Sequence, residues 1–539
     1  MPGGPVAADG GLSGPSNKLV AFGLTAFAGF GGILFGYDTG TINGIQTMPA
    51  WIDTFGVLEN GQKVLTTGNQ SLVVSILSAG TFFGALMAGP VGDLLGRRWG
   101  IIASALVFSL GVGLQLATSW PVFIVGRIIA GLGVGLVSCL SPMYQGETSP
   151  KKIRGLVIGL YQWCITIGIL LAAIVNNSMA TRTDDSGWRT VIALQFVWSA
   201  ILMGGMIWLP ETPRYLTVKG RHDDALRSLA RITSLHGPEL DSEFRILREG
   251  LEAEATLGPA TYAELFHGGP HRMWLRSLTS IAIQAFSQLT GINFIFYFGT
   301  TFFKQSGISD PFVVSIVTNV VNVVCTIPGI LFVDRAGRRP MLFWGAVGMS
   351  ICEFIVAIVG MTKGNVAADG SVDIAAQRVL IAMVCIYIAC FASTWGPIPW
   401  CVNAEVFPSR LRAKGMSLSV ASNWIWNFGI GYATPYLVNQ STPETKAAGL
   451  GVKVFLIWGS TCACCALFTY FFVAETKGLS LEQVDELYLH SSILKSNEYR
   501  KVLLAGATRD VENVQVSNQG STELVNQENK GEKLEVAHL

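Results

Sequence analysis

Charge is what this chain has least of. Only 14% of its 539 residues are Asp, Glu, Lys or Arg, against roughly 25% in ordinary soluble domains. The 37 basic and 36 acidic side chains nearly cancel, at net +1, which leaves no electrostatic footprint for a nucleic acid. Histidine numbers only six, and the ten cysteines show no spacing with it that fits a zinc site. Cys139, Cys164, Cys325 and Cys385 lie inside apolar runs, and Cys462, Cys464 and Cys465 crowd a late one, so they read as small buried hydrophobes. The segment Met1–Lys18 lacks a basic stretch before a short apolar core; no cleavable signal peptide is expected, and the first spanning helix directs insertion. A nucleophile–base pairing and a phosphate loop are missing too. The glycine series from Gly126 to Gly135 has no Lys-Ser/Thr and sits inside an apolar run, where it serves close helix packing. The expectation is a protein that is not an enzyme and carries no cofactor.

Long apolar sequence is what the chain has in excess: 50% hydrophobic residues and a mean hydropathy of +0.46. The apolar residues gather in runs of about 20, the length that crosses a bilayer as helix. Twelve spans are expected: Leu19–Ile45, Leu72–Val91, Ile101–Leu116, Pro121–Tyr144, Gly155–Asn177 and Trp188–Leu209, then Met273–Phe302, Pro311–Val333, Met341–Met361, Val379–Val402, Gly415–Val438 and Val452–Val473. The fold class is therefore an all-α membrane protein. An N-terminal segment (1–18) precedes a six-helix bundle (19–209). A charged linker (210–272) follows, in which Asp223–Ile232 and Leu240–Ala255 have the apolar spacing of surface helices. A second bundle (273–473) and a cytoplasmic tail (474–539) complete the chain. The tail is polar and expected to be disordered from Ser491 onward.

An even number of spans puts both termini on one side. Arg97, Arg98, Lys151, Lys152, Arg154, Arg335, Arg338, Arg339, Arg410, Arg412 and Lys414 fall on that side, so the positive-inside rule makes it the cytoplasm. Asn439-Gln440-Ser441 then lies outside as a glycosylation sequon.

The few charges repeat. Gly92-Asp-Leu-Leu-Gly-Arg-Arg98 returns 241 residues later as Val333-Asp-Arg-Ala-Gly-Arg-Arg339, and Glu147, Pro150 and Arg154 share their spacing with Glu405, Pro408 and Arg412. One half-protein duplicated, with two copies around a central space, is transporter logic. Gly96 and Gly337 permit tight turns. Asp93 and Asp334 are expected to pair with Arg97, Arg98, Arg338 and Arg339 across the interface between the halves, joined by Glu147, Arg154, Glu405 and Arg412, as a gate that is shut in one state. Glu211 and Arg214 after the sixth span, and Glu475 and Lys477 after the twelfth, repeat the arrangement.

Asp38 and Arg127 read as the only ionised residues deep in the spans. Their helices run in opposite directions, yet both residues fall in the outer half, so they are candidate partners. A carboxylate paired with Arg stays ionised, and one released into an apolar site takes up a proton. The pair is thus a proton-coupling device or a permanent salt bridge. Neutral amides stand in the middle of several spans: Gln162, Gln284, Gln288, Asn293, Asn322, Asn423 and Asn427, with Trp400 near the inner part of the tenth. Amides supply donors and acceptors, and Trp an apolar face, which together suit an uncharged polyhydroxylated ligand. Interhelical hydrogen bonding is the alternative for any one of them. Pro397-Ile-Pro399 is expected to break the tenth span.

These motifs resemble the sugar porters of the major facilitator superfamily. The matching segments are Phe35–Gly40, Gly92–Arg98, Gly126–Gly135, Pro210–Arg214, Gln288–Asn293, Val333–Arg339, Gly396–Trp400 and Glu475–Gly478, over roughly residues 19–480. The stretch Thr290–Phe303 looks like fungal monosaccharide transporters. The resemblance implies alternating access, sugar contacts at Gln162, Gln288, Asn293, Asn322, Trp400 and Asn427, and a proton-linked pair at Asp38 and Arg127. Ser287 stands where the family often has a second Gln, Ala474 where Pro precedes Glu-Thr-Lys-Gly, and Ala392 where some animal members carry an acid. The expected function is monosaccharide transport, glucose first and other hexoses or xylose next, by proton symport. Uncoupled facilitated diffusion and a transporter-like glucose receptor remain the alternatives, because fungal facilitators also carry Asp at the Asp38 position. The expected partners are the sugar, protons and the lipid bilayer, and a monomer in the plasma membrane suffices.

Overall fold

A computed structural model describes residues 22–59, 62–149, 154–256, 258, 261–305, 310–363, 374–408, 410–439, 447–479 and 481–506. The N-terminal segment, Lys151, Lys152, the side chain of Arg154, Gln440, Ser441 and the tail beyond 506 lie outside the described residues.

Among the described residues, ten helices are long and apolar enough to cross a membrane. The first and eleventh spans complete the twelve. The first runs through the 3-10 turn Ala28–Phe30 into Gly31–Ile45. The eleventh, Arg412–Val438, is long enough but diluted in hydropathy by Ser417, Ser419, Ser422, Asn423 and Asn427, all buried. The other spans are Thr67–Leu95, Arg97–Gln115, Trp120–Thr148, Arg154–Met179, Ser186–Ala193 with Gln195–Trp208, Met273–Leu289 with Ile292–Gln305, Pro311–Ala336, Arg338–Lys363, Ile374–Ser393 with Ile398–Val406, and Val454–Phe472.

Small residues set the helix spacing. A Cβ on Gly131 would lie 2.3 Å from the Leu77 carbonyl, and one on Gly133 2.6 Å from the Phe108 nitrogen. The fourth span therefore touches the backbones of the second and third, as the glycine series implies. The halves meet along two seams, the second span against the eleventh and the fifth against the eighth.

Two expectations change, at the seventh span and in the tail, and the expected break of the tenth span is present. The seventh span is not one helix over Met273–Phe302. It breaks at Thr290-Gly291, where Gly291 has φ +80°, a conformation that glycine adopts without strain. The tenth breaks over 394–397, where its prolines place the interruption. The tail is regular for longer than expected: a helix at Leu481–His490 leads into helical turns over 493–506, because Ile493, Tyr499 and Leu503 pack against Val484, Leu487 and Tyr488. On the same side the linker folds as His222–Thr233 and Pro238–Ala255, preceded by Pro213–Val218, whose first turn is capped by the Thr212 hydroxyl.

Candidate functional site

Between the halves the mid-span amides are buried, and most of them fall into hydrogen-bonded groups. Gln288, at the end of the first segment of the seventh span, accepts from Asn427 Nδ2 of the eleventh at 3.1 Å and from Asn293 Nδ2 just past the break. Asn427 Oδ1 accepts from Ser78 Oγ of the second span at 2.6 Å and from the Tyr297 hydroxyl at 3.0 Å. Gln284 accepts from Asn423 Nδ2 at 2.8 Å. In the other seam Trp400 Nε1 donates to Gln162 Oε1 at 3.2 Å, with the Tyr161 ring set edge-on to the indole. Asn322 is buried on the eighth span, and among the described residues neither its amide atoms nor Gln284 Nε2 finds a hydrogen-bond partner.

A buried polar atom without a partner costs about 1–3 kcal/mol. Gln284 Nε2 is such an atom on an amide that bonds Asn423, and the other paired amides bond one another or the side chains of Ser78, Tyr297 and Trp400. The arrangement can exchange its internal bonds for those of a ligand rich in hydroxyl groups. Hydrogen bonds across the seams close it on both sides. At the span ends away from the Gly-Arg-Arg turns, Ser71 Oγ donates to the Tyr432 carbonyl at 2.8 Å, the Thr300 amide to Asn43 Oδ1 at 3.2 Å, and Asn439 Nδ2 to Gln70 Oε1 at 3.2 Å. Toward the Gly-Arg-Arg turns, Ser417 Oγ donates to the Ala85 carbonyl at 2.9 Å. The Asn439 side-chain nitrogen, the atom of the sequon that a glycan would take, is thus engaged.

Asp38 and Arg127 are in contact. Both are buried, and Arg127 Nη1 lies 2.9 Å from each carboxylate oxygen of Asp38. Arg127 Nε donates to the Val73 carbonyl at 3.2 Å, and Nη2 has no partner. Val73 belongs to the same second span whose Ser78 bonds Asn427, so one helix touches both the ion pair and the amide cluster.

In the repeated charge clusters, the ion pairs described for Arg97 and Arg338 lie within each half, not across the interface as the sequence led us to expect of Asp93 and Asp334. Arg97 bridges Asp93 at 3.5 Å and Glu147 at 3.0 Å; Arg338 bridges Asp334 at 2.9 Å and Glu405 at 2.7 Å. Glu211 accepts the backbone N–H groups of Arg97 (3.0 Å), Arg98 (3.1 Å) and Thr212 (2.9 Å). Glu475 does the same for Arg338 (3.1 Å), Arg339 (3.1 Å) and Lys477 (2.9 Å). Each carboxylate caps a helix start whose free N–H groups and dipole favour an anion. Burial pushes the Glu211 carboxyl above its usual range, while those N–H groups and Arg97 pull it down. Arg98 donates to the Met206 and Ile207 carbonyls, and Arg339 to Tyr470, at the ends of the sixth and twelfth spans. The reason is local: Gly96 (φ +88°) and Gly337 (φ +99°) fold each third helix back onto its own bundle. Among these acids Asp334 also reaches the seam, since a Cβ on Gly155 of the fifth span would lie 3.1 Å from its Oδ1. Arg412 begins the eleventh span, and Arg214 lies in the helix Pro213–Val218.

Sequence reasoning missed Ser78, Tyr297 and Glu353. Tyr297 had a signal, lying four residues after Asn293 on one helix face. Glu353 had a plain one, an acid in the middle of the ninth apolar run, and it corrects the reading that Asp38 and Arg127 are the only ionisable residues deep in the spans. Ser78 had none.

Two six-helix bundles closed around buried amides define a membrane carrier of the major facilitator type. A family model described as "Sugar (and other) transporter" matches residues 24–488, and the chain belongs to that family. It is 48% identical over 477 residues to "Major facilitator-type transporter ecdD" of Aspergillus rugulosus, covering 86% of this chain and 87% of that one. It is 42% identical over 485 residues to "Probable glucose transporter rco-3" of Neurospora crassa, covering 88% and 80%. Among solved structures, that of the proton:xylose symporter XylE bound to 6-bromo-6-deoxy-D-glucose matches with a TM-score of 0.73 at 28% identity, covering 88% of this chain and all of that one.

Proposed function

We propose that this protein carries a monosaccharide, glucose first, across the plasma membrane by alternating access, together with a proton. The observation that carries the reading is the cluster of Gln162, Gln284, Gln288, Asn293, Asn322, Trp400, Asn423 and Asn427 at the seams, with Asn322 buried and unpartnered. A sugar hydroxyl both donates and accepts, so it fills such positions without bringing charge. The names of one relative, the probable glucose transporter, and of the solved symporter support a sugar as the ligand.

Proton coupling is assigned to Asp38 and Arg127. The pair is buried and one guanidinium nitrogen is unfilled. The second span supplies a physical link, through Val73 and Ser78, between this pair and Asn427. The cytoplasmic clusters brace each half so that it moves as a rigid body, and Asp334 beside Gly155 marks where the inner seam closes. Both termini lie in the cytoplasm by the distribution of basic loops, and one chain forms the whole pathway. The test is uptake of labelled glucose by yeast cells lacking their own hexose transporters, with and without a proton uncoupler. Saturable uptake that the uncoupler suppresses is expected; no uptake of any hexose or xylose refutes the reading.

A further inference from the structure

Glu353 lies in the ninth span, roughly 22 Å along the helix from Arg338 at 1.5 Å per residue. It is 1% exposed, and neither carboxyl oxygen has a hydrogen-bond partner among the described residues. The groups that face it are Tyr387 of the tenth span, Cys462 and Cys465 of the twelfth, and its neighbour Cys352. No Lys, Arg or His faces it among the described residues. An acid at this depth without a cation is costly and calls for a reason. The fold does not demand it: the duplicated helix places Val112, also buried, at the equivalent position 241 residues earlier, the interval that separates Arg97 from Arg338.

The reason lies in what Tyr387 and Cys462 hold. The first segment of the seventh span stops at Leu289, so its last carbonyls lack helical partners. Thr461 Oγ1 donates to the Leu289 carbonyl at 2.6 Å, the Tyr387 hydroxyl to the Thr290 carbonyl at 2.8 Å, and the Cys462 thiol to the same oxygen at 3.8 Å. The tenth and twelfth spans thereby clasp the break. Beyond the break, Ile292–Gln305 carries Asn293, Tyr297 and the Thr300 amide that bonds Asn43 across the outer seam. For that seam to open, this segment must shift, and the Thr290 carbonyl shifts with it. The Tyr387 hydroxyl is then a buried donor without an acceptor, beside an acid whose acceptors are unused.

We propose that Glu353 is a positioning residue of the transport cycle, the alternate acceptor that takes over the Tyr387 hydroxyl when the seventh-span break releases it. The two arrangements make the break a two-position element: Tyr387 bonds Thr290 when the outer seam is closed, and Glu353 when it is open. This rests on reading the chain as a sugar carrier, and it adds a residue in the C-terminal half that contacts neither the sugar cluster nor the Asp38–Arg127 pair.

The experiment compares glucose uptake at matched surface abundance for the parent, Glu353→Gln, Glu353→Leu, Tyr387→Phe and the Leu/Phe double variant. Leu fills the space without accepting a bond, and it lowers the maximal rate by about tenfold with little change in the half-saturating concentration. Gln still accepts, and it recovers most of the rate. Tyr387→Phe removes the same bond from the other side and slows uptake by itself. The double variant is no slower than the worse single one, because the two share one bond. Glu353→Leu transporting like the parent, Glu353→Gln failing like Leu, or additive losses in the double variant would each overturn the proposal. Should the Leu variant fail to reach the surface, parent-like kinetics of Tyr387→Phe overturn it as well. Absence of saturable uptake in the parent defeats the carrier reading and this one with it, whereas a transporting parent with variants that do not separate defeats this one alone.

Discussion

Gln288 and Asn427 share a hydrogen bond of 3.1 Å that ties the seventh span to the eleventh at the centre of the protein. Gln288 uses the same oxygen for Asn293, and Asn427 turns its own oxygen toward Ser78 of the other half. A ligand inserted here must replace these bonds, so removing one amide lowers its affinity. Gln288→Ala is expected to raise the half-saturating glucose concentration by about tenfold, equivalent to one lost bond of about 1–1.5 kcal/mol. Uptake kinetics at matched surface abundance check it, and an unchanged value removes Gln288 from the site.

Asn322 separates binding from structure more sharply. Its amide atoms are buried and bond to nothing among the described residues, so deleting them sacrifices no internal hydrogen bond. Asn322→Ala is expected to leave the thermal unfolding midpoint of the purified protein within a few degrees of the parent. The rise in midpoint that glucose produces in the parent should shrink at the same glucose concentration, by the mass-action dependence of stability on ligand affinity. A large fall in the sugar-free midpoint would instead make Asn322 a structural residue.

The ion pairs described for Arg97 and Arg338 lie within each half, and a double-mutant cycle reads that directly. Arg97→Ala and Glu147→Ala touch one ion pair and are expected to be non-additive in stability by about 1–3 kcal/mol. Arg97→Ala and Glu405→Ala lie in different halves and are expected to add within about 0.5 kcal/mol. Strong coupling between Arg97 and Glu405 would restore the cross-interface gate that the sequence alone implied.

Much of the fold is legible in the sequence because a bilayer leaves few choices: runs of about 20 apolar residues have to be helices. The repeated Gly-Arg-Arg motifs and Pro397 mark the turns and a broken helix. The break of the seventh span is less legible, since Thr290-Gly291 sits in a continuous apolar pattern and only the backbone shows Gly291 in its left-handed conformation. The amide cluster is visible as residue types at mid-span, whereas its pairing is not. Ser78 reaches Asn427 from 349 residues away, and nothing local encodes that. The charge clusters misled for a related reason: matched motifs imply a shared role, but the direction of each side chain depends on how Gly96 and Gly337 turn the chain. The tail through 506 was underestimated, because a polar average hid the apolar face of Ile493, Tyr499 and Leu503.

The central claim is that Asp38 and Arg127 link a proton to the sugar. Asp38→Asn keeps the size of the side chain and its capacity to hydrogen-bond, but it cannot alternate between charged and neutral forms. It also leaves Arg127 buried without a counter-ion, which costs about 3–5 kcal/mol, so surface abundance has to be measured alongside flux. The direct measurement is the pH of a weakly buffered suspension of energy-depleted cells when glucose is added. Alkalinisation of the medium that accompanies sugar entry in the parent, and its loss in Asp38→Asn while some downhill exchange persists, is the predicted result. Sugar entry in the parent without any uptake of protons would contradict the account and leave Asp38–Arg127 as a structural pair in a facilitator.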